Sequence, residues 1–382
     1  MTVTLSPLTL DCDFDAGNIQ VLDTRDPGRT RLAIRADTHS DHFQWFHFKA
    51  SGLTPGQIHA FSLDNAGKSS YNKAWSGYQA VASYDQRQWF RIPTRFDGQA
   101  LVFELYAQHA QAWFAYFEPY SRARHNQLIE RARQIPGVEL LATGRSVEGR
   151  DIALLRAGDG APGKRKIWLI AQQHPGEHMA EWFLEGLIDR LQANDAAVRQ
   201  LLASADLYLI PNMNPDGAFR GHLRTNFNGK DLNRAWQDAS IEHTPEVFFA
   251  QTQMKQQGVD LFLDVHGDEE IPFVFTAGCE GNPGYTPRLA ALENTFRTTL
   301  CSLTADFQTT HGYPLDAPGK ANMALACNAV GEAHDCLSLT LEMPFKDHDD
   351  APNAVTGWSA ERSRALAGAV LETVATMVAQ LR

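Results

Sequence analysis

The sequence is short of basic residues, of paired cysteines and of long apolar runs. Lys and Arg number 34 against 45 Asp and Glu, a net charge of −11. Without a basic stretch, the chain lacks the electrostatic footprint of a protein that binds nucleic acid or an anionic membrane. No apolar run approaches the roughly 18 residues that a membrane span requires. Residues 1–7 carry neither a basic segment nor an apolar core, so no secretory leader is expected and the expected location is the cytoplasm. The cysteines (Cys12, Cys279, Cys301, Cys327 and Cys336) are odd in number and scattered, with no CxxC pair. They read as reduced thiols rather than as a disulfide framework. Internal repeats and long linkers are also missing.

What is present is core material. Hydrophobic residues make up 43% of the 382-residue chain, with 21 Phe and 8 Trp, which excludes a disordered chain. The length leaves room for two domains. The first third has short aromatic-rich strands at 44–49, 61–63, 89–92, 101–106 and 113–117, separated by turn residues such as Asp97-Gly98. That pattern predicts an antiparallel β-sandwich over residues 1–118. Pro119 interrupts it, residues 121–134 read as a helix, and the style changes. Nearly continuous apolar strands at 166–171, 206–210, 260–265, 272–276 and 337–341 alternate with helical stretches, including 179–191 and a final helix from 360. An α/β/α domain over 119–382, around a mixed and mostly parallel sheet buried on both faces, is the expectation.

Ligands of open α/β sheets bind beyond the carboxyl ends of the strands. His174 lies three residues after the 166–171 strand, His266 directly follows 260–265, and Glu342 ends 337–341. Two histidines and glutamates at these ends suggest a zinc site with an open position and a nearby base. The HxxE spacing occurs four times, at His174/Glu177, His178/Glu181, His243/Glu246 and His266/Glu269. His178/Glu181 falls on the helix expected there as a non-ligand pair, and His243/Glu246 reads as a solvated helix start. His174-Pro-Gly-Glu177-His178 also matches the HxxEH inverzincin pattern, but Pro175 and Gly176 oppose the continuous helix this needs. A second cluster follows the 206–210 strand: Asn214-Pro-Asp-Gly217, Arg224, and Asp231-Leu-Asn-Arg234. Two arginines and an asparagine can bind a carboxylate through planar, bidentate hydrogen bonds.

Together, His174-Pro-Gly-Glu177, Asn214-Pro-Asp-Gly217, Arg224, Asp231-Leu-Asn-Arg234, His266 and Thr340-Leu-Glu342 resemble the zinc carboxypeptidase A-like family. Gln44-Trp-Phe-His-Phe48, Pro55-Gly56 and Phe114-Ala-Tyr-Phe-Glu-Pro-Tyr120 are similar to the β-domain of its cytosolic, deglutamylase-like branch. The resemblance implies a metallocarboxypeptidase holding one zinc ion per chain on His174, Glu177 and His266, with a fourth position for water. It implies Glu342 as general base, Arg224 as the residue polarising the scissile carbonyl, and Asn233 with Arg234 as the grip on the substrate's terminal carboxylate. Asp231 matches a carboxylate that orients the first histidine. The implied partner is the C-terminal tail of a peptide or protein.

Two positions depart from the family. The expected tyrosine closing over the substrate is missing at its usual distance before the glutamate, and Tyr313 is the candidate to replace it. Where the branch often has Gly-Thr-Gly-Arg, this chain has Ala317-Pro-Gly-Lys320. A basic residue there suits an acidic C-terminal side chain, so Lys320 is expected to line the specificity pocket. An amidase or deacylase acting on small acyl-amino acids is the alternative, and a binding module with the zinc site structural or lost is another.

Overall fold

The computed structural model describes residues 7–26 and 28–381; the expected absence of a leader falls partly on residues outside these. Two five-stranded sheets form the N-terminal region. One orders the strands Thr9–Asp11, His47–Ser51, Gln111–Ala115, Val81–Ser83 and Trp89–Arg91, all antiparallel. The other orders Gln20–Asp23, Thr30–Ala33, Ile58–Leu63, Leu101–Tyr106 and Thr94–Phe96. Its Thr30–Ala33 and Ile58–Leu63 strands pair in parallel, the one exception to the antiparallel pattern among the described residues. The aromatic residues that mark these strands in the sequence close the sandwich. Phe48 and Phe114 of one sheet meet Phe61 and Phe103 of the other, with ring centroids 4.7–6.3 Å apart, the range of offset and edge-on ring pairs.

The helix Arg122–Arg133 follows, its first turn capped by the Ser121 hydroxyl, which accepts from the Arg124 amide. A seven-stranded sheet then orders Val138–Arg145, Asp151–Ala157, Ala205–Ile210, Arg165–Ala171, Leu261–Asp268, Leu337–Pro344 and Phe275–Ala277. The four strands from Ala205–Ile210 to Leu337–Pro344 are parallel and the outer ones antiparallel. The apolar runs split by the two-residue period of a strand. Ile167, Leu169 and Ala171 enter one core with the helices His178–Ala193 and Ala360–Met377, while Trp168 and Ile170 enter a second core with Pro245–Gln257 and Ala326–His334. No described helix is long and apolar enough to cross a membrane, and all the cysteines are free thiols.

Two strand ends differ from the sequence reading. His266 and Glu342 lie inside their strands, whose ladder continues to Asp268 and Pro344 with His266 and Glu342 as register partners. Their polar side chains end the apolar run without ending the backbone pairing. At His243/Glu246 the expected solvated helix start is half right: His243 is exposed, but Glu246 is fully buried and accepts from Asn226 Nδ2 at 3.2 Å.

The sheets of the two regions join along seams of backbone-directed contacts. Half-buried Arg91 donates across to the carbonyls of Phe345, Thr356 and Trp358, and to Gln79 of its own region, and Tyr116 stacks on Phe345 at 4.6 Å. Within the second domain the helices His178–Ala193 and Ala360–Met377 approach so closely at Gly186 that a Cβ there would overlap the Arg364 carbonyl. Gly186→Ala is therefore expected to cost about 1–3 kcal/mol, read as a lower thermal or urea midpoint; an unchanged midpoint would contradict the close packing.

Candidate metal centre and substrate cavity

Three segments converge on one carboxylate. His174 and Glu177 sit in the turn between the Arg165–Ala171 strand and the His178–Ala193 helix, and His266 comes from the neighbouring parallel strand. Glu177 Oε1 is 2.6 Å from His174 Nδ1, and its Oε2 is 2.8 Å from His266 Nδ1 and accepts from the Gly267 amide at 3.1 Å. All three side chains are buried. The outward nitrogens are held too: His174 Nε2 is 3.0 Å from Asp231 Oδ1, and His266 Nε2 is 2.8 Å from Asp264 Oδ2. Asp264 in turn accepts from Gln173 Nε2 at 2.7 Å. The turn is shaped by close approaches. A Cβ at Gly217 would run into Pro175, and one at Gly267 into the Met179 sulfur, which explains two glycines of the sequence motifs.

Burial alone would raise the Glu177 carboxyl, but the two imidazoles facing it bring it down to about 2. Burial would lower His266, yet Asp264 and Glu177 hold it well above its ordinary value. Asp231 is likewise brought below the usual carboxylate range, against its burial, by His174 and Arg224. This donor set fits zinc. One ligand atom from each of His174, Glu177 and His266 lies within 4.8 Å of the others, the only such group among the described residues. Each imidazole is backed by a carboxylate, the usual support of a zinc-binding histidine, and a buried carboxylate between two imidazoles is stabilised by a cation.

Glu342 stands beside this centre, its Cα paired in register with that of His266. Burial pushes its carboxyl up to about 8, with His266 opposing and Glu177, Asp268 and Asp264 adding to the rise. Its Oε2 is buried without a partner, while Oε1 accepts from the Tyr313 hydroxyl at 3.2 Å. Tyr313 also donates to Asp268 Oδ2 at 2.6 Å, so the tyrosine that is 29 residues away in sequence is at hydrogen-bond range in space. Arg224 donates from Nε to Asp231 Oδ2 at 2.8 Å. Asn233 contacts His266 Nε2 at 3.4 Å and accepts from the Ala326 amide at 2.8 Å. Arg234 is exposed and donates to the Asn233 carbonyl at 2.7 Å.

His174, Glu177, Arg224, Asn233, Arg234, His266, Tyr313 and Glu342 all line one cavity of about 610 Å3. Lys320 does not: it is exposed on the 311–320 loop and outside the lining. The cavity's further cation is Arg297, on the Pro287–Leu303 helix, paired with Glu293 at 2.6 Å and Glu280 at 3.3 Å and donating to Thr276. The sequence reading missed Arg297, Asp264 and Tyr71, which also lines the cavity. Only Asp264 had a signal: it precedes His266 by two residues in a strand and so faces the same way. The HxxEH alternative fails on geometry, because Pro175 and Gly176 lie outside the helix and His178 Nδ1 accepts from the Tyr120 amide at 2.9 Å.

A buried His/Glu/His centre at the carboxyl ends of a mixed sheet, with a carboxylate and three arginines in the same cavity, defines a metallohydrolase with a grip for anions. Comparison with known proteins makes this specific. Residues 10–117 match the cytosolic carboxypeptidase N-terminal domain and residues 125–346 match zinc carboxypeptidase. A metallo-carboxypeptidase from Pseudomonas aeruginosa, solved in complex with (2-guanidinoethylmercapto)succinic acid, is 61% identical over 98% of this chain and 100% of that one, with a TM-score of 0.96. A metallo-carboxypeptidase from Burkholderia cenocepacia is 40% identical over 97% of this chain and 99% of that one, with a TM-score of 0.94. Cytosolic carboxypeptidase 6 of Caenorhabditis elegans is 25% identical, covering 88% of this chain and 79% of that protein. The chain belongs to the zinc carboxypeptidase family and is a metallocarboxypeptidase, a hydrolase of peptide bonds.

Against its burial, Asp264 and Glu177 hold the His266 imidazole well above its ordinary value, so a metal that binds there competes with a proton. Zinc affinity, measured by chelator competition, is therefore expected to rise with pH, by about tenfold per unit for one proton released. An affinity independent of pH between 6 and 8 would contradict this.

Proposed function

We propose that the chain removes the C-terminal amino acid of a peptide or protein tail, with His174, Glu177 and His266 holding one zinc ion. The observation that carries the reading is the shared cavity: a metal-type donor set, a buried carboxylate with a free oxygen, and arginines for an anion line the same space. When bound there, zinc supplies a Lewis acid that makes water acidic and draws charge from a carbonyl. Asn233 and Arg234 hold the free terminal carboxylate and orient the last peptide bond. The dicarboxylate bound by the Pseudomonas relative has the same kind of group. Glu342 takes a proton from the attacking water and delivers one to the leaving amine. Its carboxyl sits too high for a base in the metal-free state, and a nearby cation lowers it. Arg224 receives the charge that develops on the carbonyl oxygen. Tyr313 closes over the substrate beside Glu342, and Asp231 fixes the His174 ring.

A preference for C-terminal Glu is part of the same proposal. Its support moves from Lys320 to Arg297, whose looser partner Glu280, at 3.3 Å, an incoming side-chain carboxylate can replace.

The test is release of free amino acids from peptides ending in Glu, Lys or Leu, with a C-terminally amidated control. Release that chelation abolishes and amidation blocks is expected. No release, with cleavage of small acyl-amino acids instead, would favour the amidase. Glu342→Gln is expected to keep its zinc and lose at least about a hundredfold in kcat; retained activity would overturn the base assignment. Arg297→Ala is expected to reduce the Glu-over-Leu preference about tenfold, the size of one charge-assisted hydrogen bond. Were Lys320→Ala the variant that lowers it, the 311–320 loop would close on substrate and Lys320 would be the selective residue.

A further inference from the structure

The N-terminal β-domain supplies a buried carboxylate to a loop of the second domain, at the arginine proposed above to receive the carbonyl charge. Asp37, in the loop after the Thr30–Ala33 strand, is 4% exposed. Its Oδ1 accepts from the Leu223 amide at 2.7 Å. Its Oδ2 accepts from the amides of Arg224 at 2.8 Å and Thr225 at 2.9 Å, and from the Thr225 hydroxyl at 3.1 Å. Three consecutive N–H groups converging on one anion form a nest, and here the anion comes from the other domain. The residues around it repeat the pattern. His222 Nε2 accepts from the Thr38 amide at 3.0 Å, and Asn18 Nδ2 donates to the Gly221 carbonyl at 2.7 Å.

The same domain touches the Arg224 side chain. The guanidinium carbon lies 5.6 Å from the centroid of the Tyr71 ring, within cation–π range. Tyr71 is itself fixed by the Gln44 side chain, which accepts from its amide at 2.8 Å and donates to its carbonyl at 3.2 Å. Arg224 spends Nε on Asp231. Its terminal nitrogens, in the cavity lining, make no hydrogen bond among the described residues. An arginine with about 2 kcal/mol of rotamer entropy is thus held at its backbone by Asp37, at its Nε by Asp231 and at its ring face by Tyr71, with its terminal donors left for substrate.

We infer that Asp37 is a positioning residue of the peptidase reaction: by anchoring the amides of residues 223–225 it aims the Arg224 guanidinium, so that the N-terminal β-domain completes the active site. The inference rests on the role proposed above for Arg224. Charge-assisted bonds to a carboxylate are about twice as strong as neutral ones, and Asp37→Asn removes the charge and turns an amide NH2 toward the N–H donors while keeping the shape. Charge on the carbonyl oxygen develops in the transition state, whereas the terminal carboxylate is gripped elsewhere. Misaiming Arg224 therefore lowers kcat and leaves KM in place.

The test is a double-mutant cycle of Asp37→Asn and Arg224→Ala in the zinc-loaded full chain, with amide hydrogen exchange followed at residues 223–225. Asp37→Asn is expected to speed that exchange, to lower kcat about ten- to a hundredfold, and to leave KM within about twofold and zinc content unchanged. In the Arg224→Ala background it should cost less than about threefold more, because the two act as one unit. Wild-type kcat in Asp37→Asn, or losses that multiply in the double variant, would overturn the inference. If the wild-type chain releases no amino acid from any peptide, the proposed function fails; amide exchange then decides the positioning claim, upheld by lost protection and overturned by unchanged protection. Should Asp37→Asn not fold, Tyr71→Leu takes its place in the cycle: a several-fold loss of kcat absent from the Arg224→Ala background supports the inference, and no loss or full additivity overturns it.

Discussion

The structure depends on one buried carboxylate shared by two imidazoles. Glu177 is taken out of water between His174 and His266, and three ionisable groups so placed are costly unless each is paired. The surrounding fold provides the pairing. Parallel strands end side by side, so the turn after Arg165–Ala171 and the neighbouring Leu261–Asp268 strand deliver a histidine each from adjacent backbone positions. Asp231 and Asp264 occupy the outward nitrogens, and Gln173 braces Asp264, with Trp236 Nε1 donating to Gln173 Oε1 at 2.8 Å. The result is a rigid cluster with a charge balance that a divalent cation completes.

Chemistry beside this centre follows from register. Glu342 is the partner of His266 across two parallel strands, so a second buried carboxylate arrives next to the His/Glu/His cluster without any special loop. On the strand Leu337–Pro344, Leu339 and Leu341 fill the core shared with the helix Ala360–Met377, and the alternate residues Thr340 and Glu342 line the cavity. One strand thereby builds the core on one face and the site on the other. The N-terminal sandwich meets the second domain along carbonyls and amides more than along side chains: Arg91 on three carbonyls, Asp37 on three amides. Such contacts fix loop backbone directly, which is what a neighbouring site needs.

The four parallel strands and the aromatic sandwich were legible in the apolar and aromatic runs, whereas Val138–Arg145 and Asp151–Ala157 went unread and 272–276 pairs only over Phe275–Ala277. That His174, Glu177, His266 and Glu342 meet in one place was legible because they are polar residues at the carboxyl ends of apolar strands. The same polarity misled the strand ends, since the ladder runs on to Asp268 and Pro344. Glu246 looked solvated because nothing local reveals that Asn226, from a distant loop, covers it. Tyr313 was legible as a residue type and not by spacing, because the 311–320 loop folds back over the strand. Arg297, Tyr71 and Asp37 come from a helix and from the other domain, and no local pattern in the sequence links them to the zinc motifs. Lys320 was read from a loop motif, and its exposure depends on the path of that loop.

Zinc stoichiometry with affinity, measured on the chain and on Glu177→Gln, tests the metal centre most directly. One zinc ion per chain in the wild type, with affinity lost by orders of magnitude when the shared carboxylate becomes an amide, is the predicted result. Zinc that fails to bind the wild type, or that binds Glu177→Gln equally well, would contradict the claim that this carboxylate and its two histidines form the site.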